Sequence, residues 1–89
     1  MRIVKDGLFE PPVIFRLIQQ ASGAPDREMY QVFNMGTRLE IYTDDTAADS
    51  LIAVAQQFGV DARVIGHVEA SDRASVTIRT ANGELVYPV

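Results

Sequence analysis

Residues 46–58 repeat their apolar side chains at helical spacing, through Ala48, Leu51, Ile52, Ala55 and Phe58, and on both sides lie stretches that alternate every second residue. On one side Leu39, Ile41 and Thr43 alternate with Glu40 and Tyr42. On the other, Ala62, Val64, Gly66, Val68 and Ala70 alternate with Arg63, Ile65, His67 and Glu69. Thr46 and Asp49 have the spacing of a capping box at the helix start, and Gly59 stops the stripe. A helical crossover between two strands of one sheet makes them parallel. The pattern therefore predicts a parallel pair, residues 39–43 beside residues 62–70, in a sheet covered by helices.

The remaining elements follow from local chemistry. Arg2 to Lys5 reads as a short strand ended by the turn dipeptide Asp6-Gly7. Pro11-Pro12 precedes Val13, Ile14, Leu17, Ile18 and Ala21, an amphipathic helix with proline in its first turn, closed by Gly23 and Pro25. Asp26 is expected to cap a second, shorter helix bearing Met29, Val32 and Phe33, which Asn34 or Gly36 would end. Asn82-Gly83 is a favoured two-residue hairpin turn. It predicts Ala81 opposite Glu84 and Ile78 opposite Tyr87, with Val76, Ile78, Leu85 and Tyr87 on one face and Ser75, Thr77 and Arg79 on the other. The order (β)ααβαβββ describes one α+β domain, residues 1–89, with a mixed sheet.

Bulk properties narrow the function. A chain of 89 residues buries only about 60 to 65 percent of its unfolded surface, so its core is thin and a partner surface can be part of its stability. A net charge of −4 with eight scattered Lys and Arg argues against binding nucleic acid. The absence of cysteine removes disulfides, thiolate metal sites and cysteine nucleophiles. No signal-peptide or membrane-spanning run occurs, which places the chain in the cytoplasm as an expectation.

Few motifs carry chemistry. There is no phosphate-cradling G-x-x-x-x-G-K-[ST], no G-x-G-x-x-G, no H-E-x-x-H and no G-x-S-x-G. His67, the sole histidine, shares a strand face with Glu69, and such a histidine more often satisfies a hydrogen bond at a sheet surface than acts as a base. Asp44, Asp45 and Asp49 could be read as Mg²⁺ ligands, but carboxylates at a helix start are explained by capping and the helix dipole. Ser71-Asp72 lacks a base and reads as a turn. The segment Asn34-Met35-Gly36-Thr37-Arg38 differs. It sets an amide, a glycine, a hydroxyl and a guanidinium where a helix hands over to a sheet. Two readings stay open there: a ligand-contacting turn, or a helix C-cap followed by a solvated arginine.

Three strings, "LFEPPVIFRLIQ", "EMYQVFNMG" and "VDARVIGHVEAS", resemble in order and spacing the C-terminal domain of the aminoimidazole ribonucleotide synthetases, also called phosphoribosylformylglycinamidine cyclo-ligases, the PurM family. The resemblance covers Leu8 to Ser71. It implies a three-layer α/β/α domain with a mixed sheet, partly ferredoxin-like. It also implies an ATP-dependent reaction in which the formyl oxygen of formylglycinamidine ribonucleotide is activated by phosphorylation and the amidine nitrogen closes the imidazole ring.

In that family ATP and Mg²⁺ are held chiefly by an N-terminal domain that also forms the homodimer. This chain would then be a C-terminal fragment that binds neither by itself and forms one wall of the substrate cleft, with no catalytic or metal-ligating residue. The family pattern F-N-x-G-x-G-M is matched by Phe33, Asn34 and Gly36, while Arg38 and Leu39 replace the second glycine and the methionine. The resemblance implies substrate binding by Asn34 and Gly36, and Arg38 joins them as an expected substrate-binding residue on the chemistry of its guanidinium. The alternatives are a ferredoxin-like small-molecule-binding regulatory module and the C-terminal domain of a related selenophosphate or thiamine-phosphate enzyme.

Overall fold

The N-terminal strand β1, Arg2–Lys5, is paired on both sides in the computed structural model, which describes residues 1–88. Helices α1 (Val13–Ser22), α2 (Asp26–Val32) and α3 (Asp45–Gln57) follow, then strands β2 (Gly66–Glu69), β3 (Ser75–Thr80) and β4 (Gly83–Pro88). The four strands form one sheet in the order β2-β1-β3-β4. β1 runs antiparallel to β2 and parallel to β3, and β3 and β4 form the antiparallel hairpin. The expected α+β class with a mixed sheet is observed.

Because residues opposite one another across a ladder share a face, the registers sort the side chains into two sets. Ile3, Val68, Val76, Ile78, Leu85 and Tyr87 lie on one face, and Lys5 with them. Arg2, Val4, His67, Glu69, Thr77, Arg79 and Glu84 lie on the other. Helix α2 covers the first face: Tyr87 Oη donates to the Arg27 carbonyl at 2.6 Å, and the Arg27 guanidinium stacks 4.7 Å from the Tyr87 ring centre. The second face is a lattice of ion pairs, Arg2 with Glu69 and Arg79 with Glu84 and Asp6. Val4 and Thr77 lie on this same face and are 0% and 1% exposed.

The core is correspondingly small: Val4, Met29, Met35 and Ile78, with Thr77 as its polar member. Burying a side chain the size of Val4 or Met29 stabilises by about 1.5–3 kcal/mol, so each is a substantial share of the marginal stability of so short a chain. Helix α1 ends on Gly23, whose left-handed backbone lets its N–H reach the Gln19 carbonyl at 2.8 Å. Phe15 and Phe33 meet edge to face at 5.8 Å between centroids, fastening α1 to the end of α2.

Five sequence expectations are corrected. Residues 39–43 are not a strand: they pair with no ladder, and Leu39 and Ile41 are 77% and 59% exposed. Alternation is a necessary condition for a strand, but a partner backbone must also be in reach. Of residues 62–70 only Gly66–Glu69 is a strand, and it is antiparallel to β1, so the parallel partners are β1 and β3. Asp26 does not cap α2. Pro25 stands at that position, and the Asp26 carboxylate instead accepts from Gln19 Nε2 at 2.8 Å and from Asn82 Nδ2 at 2.9 Å.

Helix α3 is capped by Asp44, which accepts from the Ala47 N–H at 2.9 Å, and not by Thr46, whose hydroxyl bonds Asp44 in turn. Its apolar stripe exists but no residue of it is buried, Phe58 at the C-cap being 79% exposed. In the hairpin, Thr80 pairs with Gly83 and Ile78 with Leu85, so the two turn residues are Ala81 and Asn82. This register differs by two positions from the expected one. An even shift preserves which side chains share a face, and the apolar set is unchanged.

Two outcomes follow. A Cβ at Gly66 would run into the carbonyl oxygen of Val4 and lie 2.9 Å from Lys5 Cα, both backbone atoms of the central strand. Gly66→Ala is expected to lower the urea unfolding free energy by about 2 kcal/mol or more. Asp26 is held below the usual aspartate range by the hydrogen bond from Gln19, then that from Asn82, against a smaller opposing effect of burial. A folded-state value below the unfolded one means that this stabilisation is complete above the unfolded value, near pH 4, and is lost as pH falls through the folded value. Asp26→Asn is therefore expected to flatten the acid side of the stability profile, measured as urea midpoints between about pH 5 and pH 2.

Candidate functional site

Where α2 hands over to the segment ahead of α3, the chain turns twice in four residues. Phe33 leaves the helix in extended conformation with its N–H still bonded to the Met29 carbonyl. The Asn34 carbonyl accepts from the Thr37 N–H at 3.1 Å, and Asn34 Oδ1 accepts from the Gly36 N–H at 3.0 Å, an Asx turn nested in a β-turn. Met35 has φ of 54°, a left-handed conformation that costs an unbranched residue about 1 kcal/mol, and its side chain is buried at 8% exposure. Gly36 has φ of 98°, and a Cβ there would lie 2.5 Å from Pro12 Cδ. A buried methionine and a proline contact thus clamp the turn from both sides.

The clamped turn borders an open depression of about 270 Å³. Leu8, Phe33 and Ile78 give it an apolar floor, and Asn34, Thr37 and Arg38 from the turn, Tyr30 from α2, Lys5 from β1 and Glu40 form its polar rim. Of the three residues named from sequence, Asn34 and Arg38 are exposed and line this depression. Gly36 does not line it. Its N–H, read from sequence as open to a ligand, is taken by Asn34 Oδ1, so its part is to permit the turn.

That bond also fixes what Asn34 offers: with Oδ1 engaged, Nδ2 is the group left for a ligand. Burial first, then Asp26 and Tyr87, push the Tyr30 phenol above its ordinary value, so it stays protonated and can donate. The rim is therefore rich in donors. Lys5 Nζ lies 2.9 Å from Glu40 Oε1, and Tyr42 Oη donates to Glu40 Oε2 at 3.3 Å. A second depression, about 330 Å³ between α1 and α2, has Glu28 as its one charged lining residue and no converging donors.

Sequence reasoning missed Lys5, Tyr30 and Glu40, and named the Thr37 hydroxyl in the 34–38 segment without counting it as a substrate contact. Lys5 could have been found as the single cation on a face otherwise made of Ile3, Val76 and Ile78, once β1 was paired with β3. The other motifs take the structural roles expected of them. His67 Nε2 and Glu69 Oε1 are 2.7 Å apart on the charged face, away from the depression, and Ser71 Oγ bonds the Arg73 carbonyl within a turn. Among the described residues no group of three or more His, Asp and Glu could hold a metal ion, and no helix is long and apolar enough to cross a membrane.

Residues 1–79 match the family model described as AIR synthase related protein, C-terminal domain. The protein of Methanocaldococcus jannaschii named phosphoribosylformylglycinamidine cyclo-ligase is 40% identical over 63 residues, covering 71% of this chain and 18% of that protein. Proteins of the same name from Methanopyrus kandleri and Caldicellulosiruptor bescii are 33% and 34% identical, covering 78% and 79% of this chain and 20% of each protein. The chain spans about a fifth of the length of the curated relatives it matches.

Removing the Asn34 side chain leaves the Gly36 N–H without its acceptor. Asn34→Ala is expected to cost about 0.5–1.5 kcal/mol in urea unfolding, and Gly36→Ala more, because it combines a disfavoured φ with the Pro12 contact. Equal stability of the wild type and both variants would contradict the clamped turn.

Proposed function

The chain belongs to the AIR synthase related protein C-terminal domain family, and we propose that it forms the substrate-cleft wall of an ATP-dependent cyclo-ligase. That enzyme converts formylglycinamidine ribonucleotide to aminoimidazole ribonucleotide in purine biosynthesis, in the cytoplasm. The observation that carries the reading is the seating of Asn34 and Arg38 together on the rim of a depression, within the F-N-x-G string that led to the family. Asn34 Nδ2 donates to a carbonyl or formyl oxygen of the substrate, the Arg38 guanidinium holds an anionic group by two parallel bonds, and Gly36 shapes the turn between them.

The wall binds and orients. Holding the formyl carbon and the amidine nitrogen at attacking distance is the contribution such a surface can make to ring closure. ATP supplies the leaving group by phosphorylating the formyl oxygen. The described residues have neither a phosphate-cradling glycine loop nor a cluster suited to Mg²⁺. Within this proposal ATP, Mg²⁺ and the homodimer contacts therefore belong to the remaining polypeptide of such an enzyme, its N-terminal domain, which closes the other side of the cleft. That the relatives named above are cyclo-ligases favours this reading over a regulatory module.

Titrating the 89-residue chain with formylglycinamidine ribonucleotide, followed by backbone amide shifts, tests the proposal. Shifts are expected at Asn34, Thr37 and Arg38, with Arg38→Ala weakening binding by about tenfold. The chain supplied with ATP and this substrate is expected to release no ADP. Shifts confined to other surfaces would overturn the assignment of the wall, and ADP release coupled to ring closure would overturn the division of labour between domains.

A further inference from the structure

We propose that residues 38–44 pair edge to edge with the same segment of a second copy of this chain, forming a twofold antiparallel ribbon centred on Ile41. This goes beyond the ligand reading above and does not depend on what the depression binds.

Residues 38–43 are ready to pair and have nothing within the chain to pair with. They belong to no ladder or helix, and among the described residues none of their backbone N–H or carbonyl groups makes a hydrogen bond. Tyr42 Oη donates to Glu40 Oε2, so these two side chains share a side, as alternate residues of an extended segment do. Leu39 and Ile41 alternate with them and are exposed. An exposed segment with free backbone groups and an apolar side is a template for another strand.

The partner is a second copy because the segment is complementary to itself in one register. When two antiparallel copies cross at Ile41, Arg38 stands opposite Asp44, Glu40 opposite Tyr42 and Leu39 opposite Thr43, each pair occurring twice by symmetry. Opposite charges then meet at both ends, and each Glu40 can accept from the Tyr42 hydroxyl of the other copy. A crossing at Glu40 would set two carboxylates against each other, and one at Tyr42 would set Glu40 against Asp44. A crossing between residues would mix the apolar and polar sides.

Arg38 suits this role, since among the described residues its guanidinium faces no carboxylate and stacks on no ring. Copies of a chain with net charge −4 repel one another, and the two Arg38–Asp44 pairs offset that repulsion where the copies touch. Arg38 also stands on the rim of the depression, so a bound anion and the second copy would share one cation.

A two-stranded ribbon alone is marginal in water, and α3 supplies the apolar cover. The helix begins at Asp45, directly beyond the ribbon, and no residue of it is buried, with Leu51, Val54 and the C-cap Phe58 all exposed. Leu39 and Ile41 of both copies form an apolar strip on one side of the ribbon, and the two α3 stripes are the unburied apolar surface next to it in sequence.

Sedimentation equilibrium of the 89-residue chain tests this and is expected to give about twice the 9.8 kDa of one chain, falling on dilution. The chain has no cysteine, so single cysteines report the register. Ile41→Cys falls opposite its own twin, within the roughly 4.4–6.8 Å Cα separation that a disulfide spans, and is expected to cross-link under mild oxidation. Leu39→Cys lies four positions from its twin, about 14 Å, and is expected not to. Ile41→Lys, which sets two ammonium groups face to face, is expected to leave a monomer, and Leu51→Ser with Phe58→Ser to weaken association about tenfold. Circular dichroism melts of each variant identify any loss of fold. A wild type that stays monomeric at every concentration overturns the proposal and leaves the segment to a different polypeptide. Leu39→Cys cross-linking as readily as Ile41→Cys overturns the register, and a folded Ile41→Lys that still dimerises overturns the surface. Unchanged association of the serine variant overturns the part given to α3, and species larger than a dimer overturn the closed twofold pairing.

Discussion

The double pairing of β1 organises this molecule. Four residues carry two of the three ladders of the sheet, and their alternation sends Val4 to the charged face and Lys5 to the depression on the other. A slip of one residue would exchange them, placing the ammonium of Lys5 on the face of Arg79, turning Arg2 and Val4 to the other side and removing the ammonium from the rim. Gly66, opposite Lys5, resists that slip, since only a residue without Cβ fits against the Val4 carbonyl. Register and site composition are therefore one variable: whatever holds the sheet in place also decides which groups face a ligand.

The two faces of the sheet solve the problem of a thin core differently. On one, α2 supplies Met29 and the hydrogen bond at Tyr87, and the Asp26 carboxylate joins α1, α2 and the hairpin through Gln19 and Asn82. On the other, Val4 and Thr77 are buried on the face that carries the Arg2–Glu69 and Arg79–Glu84 ion pairs. Exposed ion pairs of this kind contribute about 0–1 kcal/mol each, so the stabilisation on that face comes mainly from covering two small side chains.

How much of this was legible depended on how far each signal reaches along the chain. Periodicity and turn chemistry are local, and the helices at Val13, Asp26 and Asp45 and the hairpin strands were readable from them. The face shared by Val76, Ile78, Leu85 and Tyr87 survived a misjudged turn because an even shift cannot move a side chain to the other face. Pairing is not local. Residues 39–43 have a strand's alternation without a strand's partner, and no feature within them says that β1 lies between β2 and β3. Asp26 shows the same limit at one residue. Its type and position match a helix cap, yet Gln19 seven residues before it and Asn82 fifty-six after it compete for the carboxylate and win.

The joint at 34–38 was legible in composition but not in division of labour. From sequence Asn34 and Gly36 matched the family pattern and Arg38 departed from it, and all three were read as facing a ligand. In space they separate, because a turn must first satisfy its own backbone: Asn34 Oδ1 is spent on the Gly36 N–H, and Gly36 is pressed against Pro12. What remains to face outward is one amide donor and one unpaired guanidinium, and these become a site only through groups that the joint does not contain. Lys5 arrives from a strand about thirty residues earlier, and its carboxylate tether follows two residues after Arg38. An acidic chain can hold a locally cationic rim in this way because most of its other cations are engaged where they stand, with carboxylates or against aromatic rings. Pairing elsewhere in the molecule is what leaves the charge at Arg38 uncompensated.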